Sequence, residues 1–266
     1  MNKPATIDFA TATAIQIPAA TAQAEALHDL VPGEARDSLL AVHDVLRREL
    51  PQGRLAIYEA GGGSCSVLPP ELLSRSQVTV VDIDEDQVRN NTYADEAIRG
   101  DVQTYRFGGE TFDLVICYNV IEHLPNVDAA LLNFRDALKR GGMILIGAPN
   151  PRSLSGVVTK YSPHWFHVWF YRHIRGIRDA GLPGEPPFPT FFHPLVTLPR
   201  LEAFAAANGL DMTYRREVEK SALIPRCAGA RLFAALVDAG AAMLNAVLPR
   251  GTDVRRGDYH VILRKS

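Results

Sequence analysis

Cysteine is scarce. The 266 residues hold three, Cys65, Cys117 and Cys227, odd in number and too far apart for a C-x-x-C pair. Neither a disulfide framework nor a cysteine-pair metal site can be built from them, which points to a reducing compartment. An excess of either charge is missing too: 28 Lys and Arg face 30 Asp and Glu, a formal net charge of -2. That excludes a grossly basic nucleic-acid binder, though not a local basic patch. Long apolar runs are also absent. The most apolar stretch, 232–248, carries Asp238 and Asn245, and it is short for a bilayer core of about 30 Å. The first 25 residues are rich in Ala and Thr and lack the basic start and apolar run of a secretory signal. Residues 1–33 are read as a loosely ordered leader, and the expected location is the cytoplasm. With 47% hydrophobic and 22% charged residues, the rest is a globular chain of a length that suits one embellished domain.

What is present alternates. Residues 34–50 repeat Leu39, Leu40, Val45, Leu46 and Leu50 near helical spacing, and Pro51-Gln52-Gly53 closes the segment. Four apolar runs follow at 55–58, 78–81, 114–117 and 143–146, with helix-compatible stretches at 84–99 and 127–139 between them. Strands apolar throughout and alternating with helices predict an α/β fold, a doubly wound, mostly parallel sheet covered on both faces. Past Pro149 a helix is expected at 201–208, and strands at 210–218 and 259–263.

The central signal is Ile57-Tyr58-Glu59-Ala60-Gly61-Gly62-Gly63-Ser64. A strand that turns sharply into a helix needs residues without a Cβ where the backbone approaches a ligand. Asp82 ends the second strand about twenty residues on, where a carboxylate can accept both hydroxyls of a ribose. Asp84 suits the cap of the next helix. Asp101, in Gly100-Asp101-Val102, can accept from an adenine amine or make a local Asx-turn. The dinucleotide fingerprint needs glycine at 66, where Ser66 stands, and no Walker lysine follows. Glu59 before the turn repels phosphate and suits a cationic amino group. The pattern asks for a ligand with a ribose, an adenine and a positive end.

From Glu59 to Asn150 the chain resembles the class I S-adenosylmethionine-dependent methyltransferases, in particular the small-molecule group that includes ubiquinone O-methyltransferases. Five segments carry the resemblance in order: Glu59-Ala-Gly61-Gly-Gly63, Val81-Asp82-Ile83-Asp84, Gly100-Asp101-Val102, the run from Thr111 through Asn119 to Glu122-His123-Leu124, and Leu138-Lys139-Arg140-Gly141-Gly142-Met143. The resemblance implies a seven-stranded sheet and S-adenosylmethionine as cofactor, with S-adenosylhomocysteine as product. It implies that Glu59, Gly61 and Gly63 hold the methionine portion, Asp82 with Ile83 the ribose side, Asp101 with Val102 the adenine, and that Asn119 lies near the sulfonium. Cys65 stands where the family often has a further glycine. Asn119 replaces the first glutamate of a Glu-x-x-Glu-His metal set, so no metal site is assigned.

Methyl transfer from a sulfonium needs alignment and exclusion of water, plus a base only if the acceptor starts protonated. His123 is the candidate base, with Glu122 as its orienter; a packing or helix-capping role for His123 is the alternative. Residues 151–198 hold nine of the 21 Phe, Trp and Tyr and four of the eight His, and are read as a lid or acceptor-binding insertion. Their aromatics, with Arg172, Arg175 and Arg178, suit an apolar or anionic acceptor, a membrane interface or a structural cap. On a helical projection 232–248 presents an apolar stripe over an arc of roughly 160°. It suits packing on the domain, a homodimer partner or a lipid surface.

The organisation expected is thus a leader (1–33), a cofactor-binding core (34–150), the lid (151–198), and completion of the core at 199–266 with a helical insertion before the last strand. The expected activity is methyl transfer to a small molecule, most simply at oxygen, on a natural-product, quinone, sugar or lipid-linked acceptor. Nucleic acid is disfavoured, because the Asn-Pro-Pro-Tyr-type motif for base nitrogens has no match where Cys117-Tyr-Asn-Val120 stands. The rivals are a non-catalytic partner subunit and an enzyme of the same fold using the cofactor for a non-methyl reaction.

Overall fold

The computed structural model describes residues 34–173, 177–182, 187–219, 239–243, 245–247 and 254–266. The leader and most of the 232–248 stripe lie outside the described residues. Seven strands form one sheet: β1 (Leu55–Ala60), β2 (Ser76–Asp82), β3 (Glu96–Arg99), β4 (Phe112–Tyr118), β5 (Leu138–Pro149), β6 (Leu210–Glu219) and β7 (Arg256–Lys265). Their order is β3-β2-β1-β4-β5-β7-β6. The first five are parallel, and β7 runs antiparallel between β5 and β6.

Side chains alternate across this sheet with period two, as the pleat requires. Leu55, Ile57, Leu114, Ile116, Met143 and Leu145 pack with Val42 and Leu46 of α1 (Glu34–Glu49), with Leu50 just past its end and with Leu72 of α2 (Pro70–Leu73). Tyr58, Ala60, Val115, Cys117, Ile144 and Ile146 face the other way, onto α4 (Val127–Ala137) and α7 (Leu198–Ala207). Two apolar layers on one sheet explain why the strands read as continuous apolar runs.

Two local expectations fail. Residues 84–99 are not one helix: α3 (Glu85–Arg89) stops at Asn90, and 96–99 form the edge strand β3. β3 has four residues, none of them buried, so its pairing with β2 carries no hydrophobic signature. The glycine turn does not open a helix either. The chain runs irregularly to Pro69 and Pro70 before the single turn of α2, where Pro at the helix start is tolerated but forbids helix upstream. Elsewhere α4 ends at Ala137 because Leu138 already takes extended dihedrals and starts β5. After β5 come α5 (Leu154–Tyr161) and α6 (His164–His173). Among the described residues no helix is long and apolar enough to cross a membrane.

Candidate active site

The strand order reverses between β1 and β4, and ligands of open parallel sheets bind beyond the carboxyl ends of the strands at such a point. The glycine turn, Asp82, Asp101, Asn119 and His123 all follow the carboxyl ends of β1 to β4 or close them. Gly61 has φ +68 and Gly63 φ +55, which only glycine adopts freely. A Cβ on Gly61 would lie 2.5 Å from Cγ2 of Val120, so the turn after β1 packs directly on the turn after β4.

The acidic groups are held by backbone and by unexpected neighbours. Asp82 accepts from the Gly63 amide at 3.0 Å and the Asp84 amide at 2.9 Å, tying the glycine turn to the end of β2. Beside it Ile83 is 70% exposed, an apolar side chain presented at the mouth. Asp84 caps α3 through the Asp86 and Gln87 amides, as its position predicts. Asp101 makes the Asx-turn, accepting from the Gln103 amide and side chain at 2.9 Å. Val102 is buried beneath that loop, which Asn133 of α4 fixes by donating to the Val102 and Gln103 carbonyls.

Glu59 lies under the turn, 2% exposed. Ser66 Oγ donates to one carboxylate oxygen and Tyr93 Oη to the other, the latter at 2.9 Å. Burial outweighs both donors and pushes the carboxyl up to about 7. Sequence reasoning missed Ser66 and Tyr93 as partners, since nothing in the spacing of 59 and 93 announces a contact.

Past β4, Asn119 takes the left-handed conformation at φ +56, and its amide donates to Gly147 O at 2.8 Å. A single 3-10 turn, Ile121–His123, follows. His123 Nδ1 lies 2.7 Å from Pro189 O. A carbonyl only accepts, so Nδ1 carries the hydrogen and Nε2 keeps its lone pair. Burial holds the imidazole below its usual pKa. Glu122 Oε1 is 3.8 Å from Nε2, beyond hydrogen-bond distance. The orienting group is therefore Pro189 O, which no sequence motif disclosed, rather than Glu122. The segment bearing Pro189 docks through its backbone, Phe191 and Phe192 amides donating to Glu122 O at 2.9 and 3.3 Å. Phe188 meets the His123 ring edge-on at 6.0 Å.

The lid histidines serve local needs. His167 pairs with Ser162 Oγ at 2.9 Å, His173 with Trp169 O at 2.9 Å, and His193 Nδ1 accepts from the Leu195 amide. No group of three metal-ligating side chains occurs among the described residues.

No curated protein matches the chain by sequence. Among solved structures, magnesium protoporphyrin IX methyltransferase from Synechocystis PCC 6803, crystallised with SAH, is similar at 14% identity over 86% of this chain and 83% of that one, with TM-score 0.51. A SAM-dependent methyltransferase from Methanosarcina mazei is 16% identical over 83% and 96%, TM-score 0.50. The plantazolicin methyltransferase BpumL, in complex with a triazolic desmethyl analog and SAH, is 13% identical over 92% and 90%, TM-score 0.51. These likenesses are of fold. The family model described as "Methyltransferase domain" matches residues 58–144. That span runs from β1 into β5 and contains the glycine turn, Asp82, Asp101, Asn119 and His123.

Proposed function

We propose that the chain transfers a methyl group from S-adenosylmethionine to a hydroxyl oxygen of a small-molecule acceptor. The observation that carries this reading is the glycine turn locked to Asp82 at the switch point of the sheet, with Ile83 exposed beside it. The residues fit the cofactor. Each oxygen of Asp82 accepts one amide and keeps a further lone pair for a ribose hydroxyl. Ile83 offers an apolar surface on the same side, and Asp101 with Val102 stands at the adenine end. Gly61, Gly63 and Asn119, above the buried Glu59, would hold the methionine portion. When bound, S-adenosylmethionine supplies a methyl group already activated on a sulfonium.

His123 is the base. Its Nε2 lone pair takes the acceptor's hydroxyl proton, while Pro189 O holds the ring through Nδ1–H. The lowered pKa keeps the ring neutral and able to accept at neutral pH. A neutral histidine suits a hydroxyl, which must lose a proton to give a neutral ether.

The lid supports an apolar or lipid-linked acceptor. α6 buries none of its ten residues although five are aromatic, and Trp165 and Trp169, four apart on one face, are 69% and 44% exposed. From Arg152 to Arg178 the sequence has five Lys and Arg and no acid. Exposed tryptophans beside cations suit an anionic interface. Co-sedimentation with vesicles containing anionic lipid, weakened in Trp165→Ala, is the check; equal sedimentation of the variant would remove the lid from that role.

The test of the activity is calorimetric titration with S-adenosylmethionine and S-adenosylhomocysteine, followed by an acceptor screen read as S-adenosylhomocysteine formed. Binding and turnover with hydroxylated acceptors are expected; absence of cofactor binding by folded protein would overturn the reading.

A further inference from the structure

Tyr118, Gly147, His260 and Arg216 stand level on four adjacent strands. The registers pair Tyr118 with Gly147, Gly147 with His260, and His260 with Arg216. Directly opposed residues project on the same face of a sheet. Gly147 has no side chain, so the Tyr118 ring lies across its place: a Cβ there would be 2.4 Å from two ring carbons. The phenol thereby reaches over a whole strand to His260, with Oη 3.0 Å from Nε2 and the rings 5.4 Å apart. From above, Ser38 of α1 meets the other nitrogen, Oγ to Nδ1 2.8 Å. Ser38 and His260 are buried.

This chain forms one wall of a cavity of about 350 Å³ lined by Leu39, Val67, Ala148 and Val218 on its apolar side and by Tyr118, Asn119, Asp258 and His260 on its polar side. Gly62 and Cys65 also line it, so it adjoins the glycine turn. Among the described residues neither Lys nor Arg lines it, while Asp258 does.

We propose that this cavity is the acceptor subsite, that it takes a neutral, largely apolar molecule bearing a hydroxyl, and that Tyr118, positioned by His260 and Ser38, is the hydroxyl's hydrogen-bond partner. The assignment rests on the methyltransferase reading above and narrows its acceptor class. A phenol and an imidazole each donate one hydrogen and accept one, so the chain can run in either direction. An acceptor hydroxyl whose proton faces His123 accepts from Tyr118 Oη, which selects the direction in which His260 Nε2–H donates to Tyr118 and Ser38 Oγ donates to Nδ1. That requires a neutral imidazole. Burial pushes His260 down to about 4, with Asp258 opposing and Arg216 and His43 reinforcing the shift. A carboxylate or phosphate on the acceptor would be buried there without a cationic partner among the described lining residues. A cavity of this size matches the lower end of ordinary ligand pockets, suited to one or two rings.

The experiment uses 2-naphthol and 2-naphthoate, the same skeleton with a hydroxyl or a carboxylate, titrated into the full chain saturated with S-adenosylhomocysteine. The wild type should bind naphthol in preference to naphthoate. Tyr118→Phe keeps the ring over Gly147 and should weaken naphthol roughly three- to tenfold, the loss of one hydrogen bond, with S-adenosylhomocysteine affinity unchanged. His260→Gln, whose amide can still meet Tyr118, should retain most of the naphthol affinity, and His260→Ala should lose it. A purely structural role would lower the melting temperature of these variants without moving the naphthol affinity. Equal naphthol binding by wild type and Tyr118→Phe, no naphthol binding at all, or preference for naphthoate overturns the subsite while leaving the cofactor site standing. Failure of wild type to bind S-adenosylhomocysteine sinks the methyltransferase reading and the subsite with it.

Discussion

The two halves of the sheet's carboxyl edge are built differently. Over β1 to β3 the acidic groups have close sequence neighbours as partners: Asp82 the amide of 84, besides that of 63 one strand back, Asp84 its own helix, and Asp101 Gln103. Over β4, β5 and β7 the functional groups are held across the chain. His123 is fixed from Pro189, Tyr118 from His260, and His260 from Ser38, 222 positions away. A half that is set by turns and caps can be specified locally. A half that is set by strand register depends on the whole sheet closing first, and the acceptor subsite proposed above lies in it.

That contrast is sharpest in catalysis. His123→Ala should lower turnover on the order of 10²- to 10⁴-fold, the usual contribution of a general base, with cofactor affinity nearly unchanged. Full activity in a steady-state assay would leave alignment alone as the catalyst. Asp82→Ala should do the reverse. Loss of two hydrogen bonds to a charged group should weaken S-adenosylmethionine on the order of 100-fold by calorimetry. It should also loosen the glycine turn, because the Gly63 amide loses its acceptor. Undiminished affinity in folded protein would put the ribose elsewhere.

Glu59 sharpens the comparison through pH. Its carboxyl is raised to about 7 from a usual 4.5, so between those values the folded chain keeps a proton that the unfolded chain has lost. Stability attributable to this group therefore falls as pH rises through that window, by about 3 kcal/mol in all, and is level above it. Glu59→Gln keeps partners for Ser66 and Tyr93 and should flatten that part of the melting-temperature profile. An unchanged slope would mean the carboxyl is not protonated there.

Smaller effects test the local devices. Gly61→Ala forces φ +68 on a residue with a Cβ aimed at Val120. About 1–2 kcal/mol of stability should be lost, read as a lower denaturant midpoint, together with weaker cofactor binding. Asp84→Ala removes one helix cap and should cost about 1 kcal/mol with little effect on turnover; a large loss of activity would give Asp84 a role beyond α3.

The legible parts of the fold were those under strong local constraint. Apolar runs at β1, β2, β4 and β5 follow from burial on both faces, and Asp84 at its cap follows from the four unpaired amides of a helix start. The edge strand β3 escaped because exposed residues at 96–99 carry no apolar period. The missing helix after the glycine turn was signalled by Pro69-Pro70 but masked by the expectation attached to the motif. Glu122 looked like the partner of His123 because it is adjacent. Consecutive side chains on a 3-10 turn diverge, and the carbonyl that holds the ring arrives from a segment 66 positions on.

By itself, then, the sequence determined the layering of the sheet and the place of the cofactor turn, because glycine dihedrals, caps and burial are properties of short segments. Only the tertiary structure decided what stands beside the glycine turn. β7 enters antiparallel between β5 and β6, and a shift of one residue in its register would turn His260 to the other face and break its contacts with Tyr118 and Ser38.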